Sequence, residues 1–287
     1  MTQAQIQAFF DEQTSTITYL VSDPESRRAV VIDPVLDFDP KSGRTATRSA
    51  DRVLEAAKNG KLSIDWVLET HAHADHLSAA PYLHNSTGAR IAIGEHIREV
   101  QQVFAPIVDA ADITGDGRPF DRLLEDGEIL QVGGLAIEVL HTPGHTPACV
   151  SYCIGDDVFV GDTLFMPDYG TARADFPGGD ARMLYRSIRR LLSLPSHTRL
   201  WLCHDYKPPG RDEHAWMTTV ADQRAANVHV HDGVGEEEFT ALRTERDKLL
   251  PMPVLILPSV QVNIRAGQMP PPAGNGQVYL KLPVNRL

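Results

Sequence analysis

The chain has 287 residues, of which 42% are hydrophobic and 23% are charged, and its formal net charge is −11. A chain of this length and composition can bury a full hydrophobic core, either as one large domain or as one domain with an appended subdomain. The acidic charge, without a basic stripe, excludes a general polyanion binder, so no nucleic-acid partner is expected. An anionic small substrate would need a local cluster of Arg or Lys.

The first half of the chain predicts a β-hairpin followed by alternating helices and short strands. Runs rich in β-branched residues predict strands at residues 14–22, 28–33, 64–69 and 89–93. Apolar residues at helical spacing predict helices at residues 47–58, 77–84 and 95–108.

The second half predicts four short strands and then mainly helices. The strands are predicted at residues 128–132, 136–140, 149–154 and 158–160, with Gly-rich turns between them. A helix capped by Asp180 at residues 180–192, a strand at 200–203, helices at 212–227 and 236–250, and an irregular proline-rich tail from 251 follow. Because strands and helices do not alternate regularly, we expect central sheets with helices outside them.

The most informative stretch of the sequence follows the strand predicted at residues 64–69. It contains His71, His73, Asp75 and His76, separated only by two alanines. Neutral imidazole and carboxylate are the usual ligands of borderline and hard metal ions. The stretch therefore predicts one half of a metal site.

Three later residues have the same placement, because each lies just beyond a short apolar strand. They are His145, Asp162 and His204. Loops at strand ends are where a rigid scaffold presents binding groups. We expect these three side chains to supply the other half of the metal site.

The spacing of the first four ligands indicates how they are distributed between metal centres. Side chains at i and i+2 of an extended segment point the same way, so His71 and His73 are expected to converge on one centre. Asp75 and His76 are expected to lie past a turn, at the start of the next helix, and to point elsewhere. The spacing thus predicts two adjacent centres, or one centre beside a hydrogen-bonding shell.

These residues resemble the metallo-β-lactamase superfamily over roughly residues 14–210. His71 to His76 matches the HxHxDH signature of that family, and His145, Asp162 and His204 match its later ligand positions in order. The resemblance implies an α/β (α+β) fold, the αββα sandwich, with two mixed sheets and helices on the outer faces. We assign this domain to residues 1–230, and residues 231–287 to a C-terminal helix and proline-rich tail packed on it.

Within the superfamily, the chain looks most like the glyoxalase II and persulfide dioxygenase branch. The segments that carry this likeness are THAHADHL at 70–77, HTPGHT at 141–146 and CHDY at 203–206. The segment GTARADF at 170–176 is similar to the persulfide dioxygenase pattern, with Ala174 where Cys or Thr is expected. QVNIR at 261–265 resembles the longer bacterial members.

For a dioxygenase, the resemblance implies one Fe(II) per chain, held by His71, His145 and Asp162. The other four ligand-type residues, His73, Asp75, His76 and His204, would then form a polar outer shell. Asp75 and Tyr206 are the expected catalytic residues, and Arg173 and Tyr206 the expected substrate-binding residues. Glutathione persulfide and O₂ would give sulfite and glutathione.

The alternative is a binuclear hydrolase such as a hydroxyacylglutathione thioesterase, with two Zn(II). One zinc would be held by His71, His73 and His145, and the other by Asp75, His76 and His204, with Asp162 bridging them. In both cases the expected partner is a glutathione-derived small molecule. The sequence leaves open whether the chain forms a homodimer.

The expected location is the cytoplasm, without a membrane partner. Residues 1–10 lack the apolar core of a signal peptide, and no apolar run approaches the roughly 20 residues that span a membrane. The three cysteines do not make a disulfide framework, which favours a reducing compartment.

Overall fold

The computed structural model describes residues 3–286. The helices in this range are α1 Arg48–Asn59, α2 Ala80–Thr87, α3 Ile97–Ile107, α4 Ala181–Leu192, α5 Val220–Ala226, α6 Glu236–Asp247 and α7 Ile256–Asn263. The strands are β1 Gln5–Asp11, β2 Thr16–Ser22, β3 Arg28–Ile32, β4 Val35–Asp39, β5 Arg44–Ala46, β6 Ser63–Leu68, β7 Leu77–Ser78, β8 Arg90–Gly94, β9 Arg122–Leu124, β10 Ile129–Val132, β11 Leu135–His141, β12 Val150–Ile154, β13 Asp157–Phe159, β14 Arg199–Trp201 and β15 Met217–Thr219.

The strands form two mixed six-stranded sheets and one small sheet. The first sheet has the order β1-β2-β3-β6-β8-β9, antiparallel up to β3 and parallel beyond it. The second has the order β10-β11-β12-β13-β14-β15, in which only β13 and β14 run parallel. The small sheet joins β4 to β5 and β7.

Strand β2 shows how the two large sheets are covered. Its side chains alternate between faces, as those of any extended strand do. Tyr19 and Val21 pack between the sheets, against residues such as Ile137 of the second sheet. Leu20 packs on the opposite face, in the core shared with the helices α1, α2, α3 and α7. Helices α4, α5 and α6 cover the outer face of the second sheet, so the αββα sandwich is confirmed.

Two of the predicted helices have different bounds in the structure. The segment at 77–84 begins as the strand β7, because Leu77 and Ser78 pair with β4, and the helix starts only at Ala80. The segment at 212–227 is not one helix. Met217–Thr219 pairs with β14 as a strand, and Thr219 then caps the short helix α5 through its hydroxyl.

The tail contains a helix that the sequence analysis missed. Residues Ile256–Asn263 form α7, although the proline content predicted irregular structure. Its buried residues include Ile256, Val260 and Asn263, and it packs in the same core as α3. Because α7 is short and buried on several sides, it lacks the one-sided apolar pattern that identifies a surface helix. The assignment of residues 1–230 and 231–287 to two parts stays a prediction.

Within residues 3–286, none of the helices has the length and apolar character needed to cross a bilayer.

Candidate metal centre

Loops at one edge of the two large sheets carry all seven predicted ligands. His71 to His76 follow β6, His145 follows β11, Asp162 follows β13 and His204 follows β14. Gly161 lets two of these loops approach closely. Its φ is +52°, and a Cβ at this position would lie only 2.7 Å from the hydroxyl oxygen of Thr70. A side chain is therefore excluded where the Asp162 loop meets the His71 loop.

The seven side chains form two groups. In the first, which we call the triad, the Asp162 Oδ2 atom lies 3.6 Å from the Nε2 atom of His145 and 3.9 Å from that of His71. These three residues offer ligand atoms that lie within 4.8 Å of one another. The triad therefore has the composition of a two-histidine, one-carboxylate site.

The second group consists of His73, Asp75, His76 and His204, whose ligand atoms also lie within 4.8 Å of one another. The Nε2 atom of His204 is 3.1 Å from Asp75 Oδ2. It is also 3.3 Å from Asp162 Oδ1, so the two oxygens of Asp162 face the two groups.

This division differs from the predicted pairing of His71 with His73. Residues 70–76 run through a series of bends and not an extended strand, so strict alternation of side chains does not apply to them. The ligand atoms of His73 instead group with those of Asp75, His76 and His204, although the His73 ring lies as close to the ring of His71 (4.0 Å) as to that of His76 (4.1 Å). Asp75 and His76 also precede a strand and not a helix, as described above.

Each imidazole of the two groups has one nitrogen in contact with a neighbouring polar group. His145 Nδ1 lies 2.8 Å from the carbonyl oxygen of Arg173, to which it can donate. The Nδ1 atom of His71 lies 3.0 Å from the Thr70 hydroxyl, and Nε2 of His73 lies 3.0 Å from Asp33 Oδ1. His76 and His204 both contact the hydroxyl of Thr16 through Nδ1. Such contacts orient metal-binding histidines in proteins.

The remaining ligand atoms of these seven residues indicate a metal ion. In the part of the chain that the structure describes, six buried atoms of these seven residues make no well-oriented hydrogen bond, although His204 Nε2 lies near both carboxylate oxygens: His71 Nε2, His73 Nδ1, Asp75 Oδ2, His76 Nε2, Asp162 Oδ1 and His204 Nε2. A buried polar atom without a partner is costly, and proteins rarely contain several together. Nitrogen and carboxylate donors concentrated in this way fit a divalent transition metal.

The pKa shifts of the titratable side chains differ between the triad and the second group. Burial lowers the pKa of His71 well below its ordinary value, and the nearby histidines add to that effect, which keeps the ring neutral. Burial also opposes the charge on His73, but the carboxylates of Asp33 and Glu69 outweigh it and raise the pKa of His73 well above its ordinary value. For Asp75, burial is outweighed by His204 and His76, so the pKa of this carboxyl is lowered. A neutral imidazole is the form that binds a metal.

A cavity of about 630 Å³ opens onto the site. Asp75, His145 and Asp162 line its inner part, and Tyr206 stacks against His204 at a ring distance of 5.5 Å. This volume lies within the range of small-molecule sites. Arg173 also lines the cavity, and its guanidinium is bound to Asp175 at 2.6 and 2.8 Å.

Residues that the sequence analysis did not single out hold the site in place. Asp33 accepts hydrogen bonds from the backbone N–H and hydroxyl of Thr70, in addition to its contact with His73. It is the last residue of the strand predicted at 28–33 and lies just after β3 in the structure, so the signal that identified the ligands could also have identified it. Asn263 of α7 donates to the carbonyl oxygens of His73 and His76 at 2.8 Å. It lies in the QVNIR segment at 261–265, to which the sequence analysis assigned no role in the site.

Side chains of α6 and of the segment after α5 hold residues 170–174 in place through hydrogen bonds. Asn227 donates to the carbonyl of Gly170, and His229 accepts from the backbone N–H of Thr171. Arg243 donates to the carbonyl of Thr171, and Asp247 accepts from the backbone N–H of Ala174. These helices therefore fix the wall of the cavity that carries Arg173.

Comparisons with known proteins identify related chains of two kinds. A protein of Burkholderia pseudomallei described as a probable metallo-hydrolase is 54% identical, over 98% of this chain and 99% of its own length. The mitochondrial persulfide dioxygenase ETHE1 of Bos taurus is 32% identical, over 93% of this chain and 91% of its own. Three further relatives, 50–51% identical, are longer, and the match covers 65% of their length.

A solved structure agrees with these relationships. The crystal structure of ETHE1 from Myxococcus xanthus superposes with a TM-score of 0.74 at 33% identity, covering 92% of this chain and all of that one. The family model described as the metallo-beta-lactamase superfamily matches residues 13–204, which include every predicted ligand. With the αββα fold and the ligand order, this match establishes that the chain belongs to the metallo-β-lactamase superfamily.

Proposed function

We propose that this protein is a mononuclear iron dioxygenase that oxidises glutathione persulfide with O₂ and water to sulfite and glutathione. The observation that carries the proposal is that the ligand atoms of His71, His145 and Asp162 lie within 4.8 Å of one another, whereas those of His73 group with Asp75, His76 and His204. A binuclear hydrolase would need His73 to complete a three-histidine site with His71 and His145. Two histidines and one carboxylate, with open positions beside them, are instead typical of non-haem iron oxygenases.

The relationships to persulfide dioxygenases support this proposal. The ETHE1 proteins of Bos taurus and Myxococcus xanthus are 32% and 33% identical to this chain over more than nine-tenths of it. Persulfide dioxygenase activity is ascribed to ETHE1, and we carry the persulfide substrate over to this chain as a hypothesis.

The residues of the site fit such a reaction. Iron held by the triad would supply the one-electron chemistry that lets a persulfide react with O₂. Asp75 lines the cavity, and its lowered pKa keeps it ionised, so its carboxylate can accept a hydrogen bond from bound substrate or water and orient it. Tyr206 lines the cavity beside His204, where its hydroxyl can donate a hydrogen bond to bound substrate. Phe165 and Phe176 also line the cavity and give it an apolar surface.

A binuclear metallo-hydrolase acting on a glutathione thioester is the second candidate, and one observation favours it. Asp162 turns one oxygen towards the triad and the other towards His204, as a bridging carboxylate would. The unpartnered donor atoms of His76, Asp75 and His204 could hold a second ion. The probable metallo-hydrolase of Burkholderia pseudomallei is consistent with this reading.

Metal analysis of anaerobically purified protein, combined with an oxygen electrode, tests the proposal. We expect about one iron per chain, and one O₂ consumed for each sulfite formed from glutathione persulfide. Zinc-loaded protein is the control, and it should consume no O₂. Two metal ions per chain, with thioester hydrolysis and no O₂ uptake by the iron form, would establish the hydrolase instead.

A further inference from the structure

Part of the cavity wall is a segment of the C-terminal tail that is rich in apolar residues. Residues 250–254, which we call the tail segment, all line the cavity. Leu250, Met252 and Val254 are exposed, with 37%, 44% and 86% of their surface accessible. Single exposed apolar side chains are ordinary in proteins, but three that line one cavity indicate a binding surface.

The tail segment is held at both ends and is stiff between them. The Nη1 atom of Arg173 donates to the carbonyl oxygen of Pro251 at 2.7 Å, and the next residue after the segment, Leu255, is buried in a small core with Phe38. Both prolines of the segment have a fixed φ, and Met252 between them is restricted to extended conformations because a proline follows it. Little conformational freedom is therefore lost when a ligand binds against this wall.

A series of contacts connects the tail segment with the triad. The guanidinium of Arg173, which is bonded to Pro251, lies 5.0 Å from the centre of the Phe176 ring. The Phe176 ring in turn lies 5.1 Å from that of His145. The cavity therefore extends from a predicted metal ligand, past an aromatic ring, to the tail segment. A substrate whose sulfur reaches the triad can place its substituent against this segment.

The protein itself uses most of the positive charge along the cavity. Arg173 donates to both oxygens of Asp175, at 2.6 and 2.8 Å, and Arg243 donates to Asp247 at 2.9 Å. Guanidinium groups paired in this way offer little free charge to a ligand. Arg246 also lines the cavity, but it is exposed to solvent. The surface that the tail segment presents to a substituent is therefore mainly apolar.

Three aromatic residues add to this apolar surface. Phe165, Tyr169 and Tyr206 all line the cavity. The rings of Phe165 and Tyr169 lie 5.6 and 5.1 Å from that of Tyr206, which stacks on His204. An alkyl group bound beside such rings removes apolar area of both partners from water, which is the main favourable contribution to binding of this kind.

We propose that the tail segment and these rings form a subsite for an apolar substituent, so that the cavity accepts alkyl persulfides in addition to glutathione persulfide. The oxidation of such a compound rests on the proposed function, whereas the apolar subsite rests on the structure. An alkyl persulfide, O₂ and water would give the alkyl thiol, sulfite and two protons, with the outer sulfur oxidised and O₂ reduced. Met252 is then a residue that determines specificity, because its flexible thioether adapts to substituents of different shape.

Binding of straight-chain thiols to the zinc-loaded protein tests this subsite by calorimetry, because a thiolate binds zinc without being oxidised. A fully buried methylene group strengthens binding about fourfold. Since the mouth of the cavity is open to solvent, we expect about twofold for each methylene from ethanethiol to hexanethiol. Affinity that does not rise with chain length would overturn the proposal.

A double variant shows whether the tail segment causes the rise. Met252→Gln and Val254→Thr keep the size of the side chains but make them polar. The double variant should bind hexanethiol about fivefold more weakly and ethanethiol within about twofold of the parent protein. In turnover, its kcat/KM for hexyl persulfide relative to glutathione persulfide should fall by a similar factor.

Leu249→Asn is the matched control. Leu249 adjoins the tail segment and is 83% exposed, but it does not line the cavity. This variant should bind every thiol as the parent protein does. An equal loss for ethanethiol and hexanethiol in the double variant, or an equal loss in Leu249→Asn, would contradict the proposal. Failure of the proposed dioxygenase would appear separately, as absent O₂ uptake with the dependence on chain length intact.

Discussion

The triad and the second group contain the same kinds of donor atom but lie in different surroundings. In the triad, His145 and Asp162 line the cavity, and the carboxylate is itself one of the ligands. In the second group the three histidines are fully buried, and carboxylates outside or beside the group, such as Asp33 for His73, balance their charge. The triad thus presents two of its three donors to the open space for a substrate, whereas the second group presents only Asp75 and is otherwise built like a supporting shell.

The largest effect is expected from removing the residue that the two groups share. Asp162→Ala deletes the carboxylate that faces both of them, so metal affinity should fall by more than about 100-fold, beyond the range for outer-shell residues. Metal content after dialysis and O₂ uptake measure this loss. Asp168→Ala is the control, because Asp168 is an exposed residue of a nearby loop and pairs with Arg211. Full metal content in Asp162→Ala would show that neither group is the metal site.

Removing the metal should destabilise the fold, because unpartnered donor atoms would remain buried. At a free iron concentration 100 times the dissociation constant, bound metal should add about 2.7 kcal/mol to the free energy of unfolding. Anaerobic urea denaturation with and without iron measures this difference. His71→Ala should show no iron-dependent shift, and a parent protein with the same midpoint in both conditions would argue against a metal centre.

Substitution of His73 distinguishes most clearly between a metal site formed by the triad alone and a binuclear site. If the triad alone holds the metal, His73→Gln should keep about one iron per chain and lose about 10- to 100-fold in activity, as outer-shell changes do. Glutamine is chosen because its amide can still donate to Asp33, whereas His73→Ala would leave a buried carboxylate unpaired. If the site is binuclear, His73→Gln should lose most of its metal. The measurement is metal stoichiometry together with O₂ uptake.

Most of the architecture and the sequence positions of the triad could be predicted, because their signals are local. Each ligand follows a short apolar strand, and strands such as β6 and β11 begin and end within two residues of their predicted bounds. The order of the ligand types along the chain then sufficed to indicate the superfamily, which the match over residues 13–204 confirms.

The grouping of the ligands could not be predicted, because it depends on backbone bends and long-range contacts. Alternation along a strand paired His71 with His73, but residues 70–76 are bent. The carbonyl of His73 is bound by Asn263, which lies 190 residues further along the chain. A contact of this kind leaves no periodic pattern in the sequence, and the helix that carries Asn263 was itself missed.

The smallest effect on metal binding is expected from Asn263, which acts on the second group only through the backbone. Its side chain makes three hydrogen bonds to this loop, with the carbonyls of His73 and His76 and with the backbone N–H of Ser78. Asn263→Ala should destabilise the protein by about 3 kcal/mol, at about 1 kcal/mol for each hydrogen bond. It should also weaken iron binding by up to about tenfold, at the low end for residues that orient ligands.

Gln261 provides the matched control for that substitution, because it lies on the same helix, is equally buried and also makes three hydrogen bonds. Its partners are Leu257 and Lys281, far from the ligands. Gln261→Ala should therefore lose similar stability in urea but keep the parent iron affinity in a competition with a chelator. If both variants lose iron affinity equally, α7 supports the fold in general. A loss confined to Asn263→Ala would show that a tail residue positions the second group, and that the triad depends on this shell.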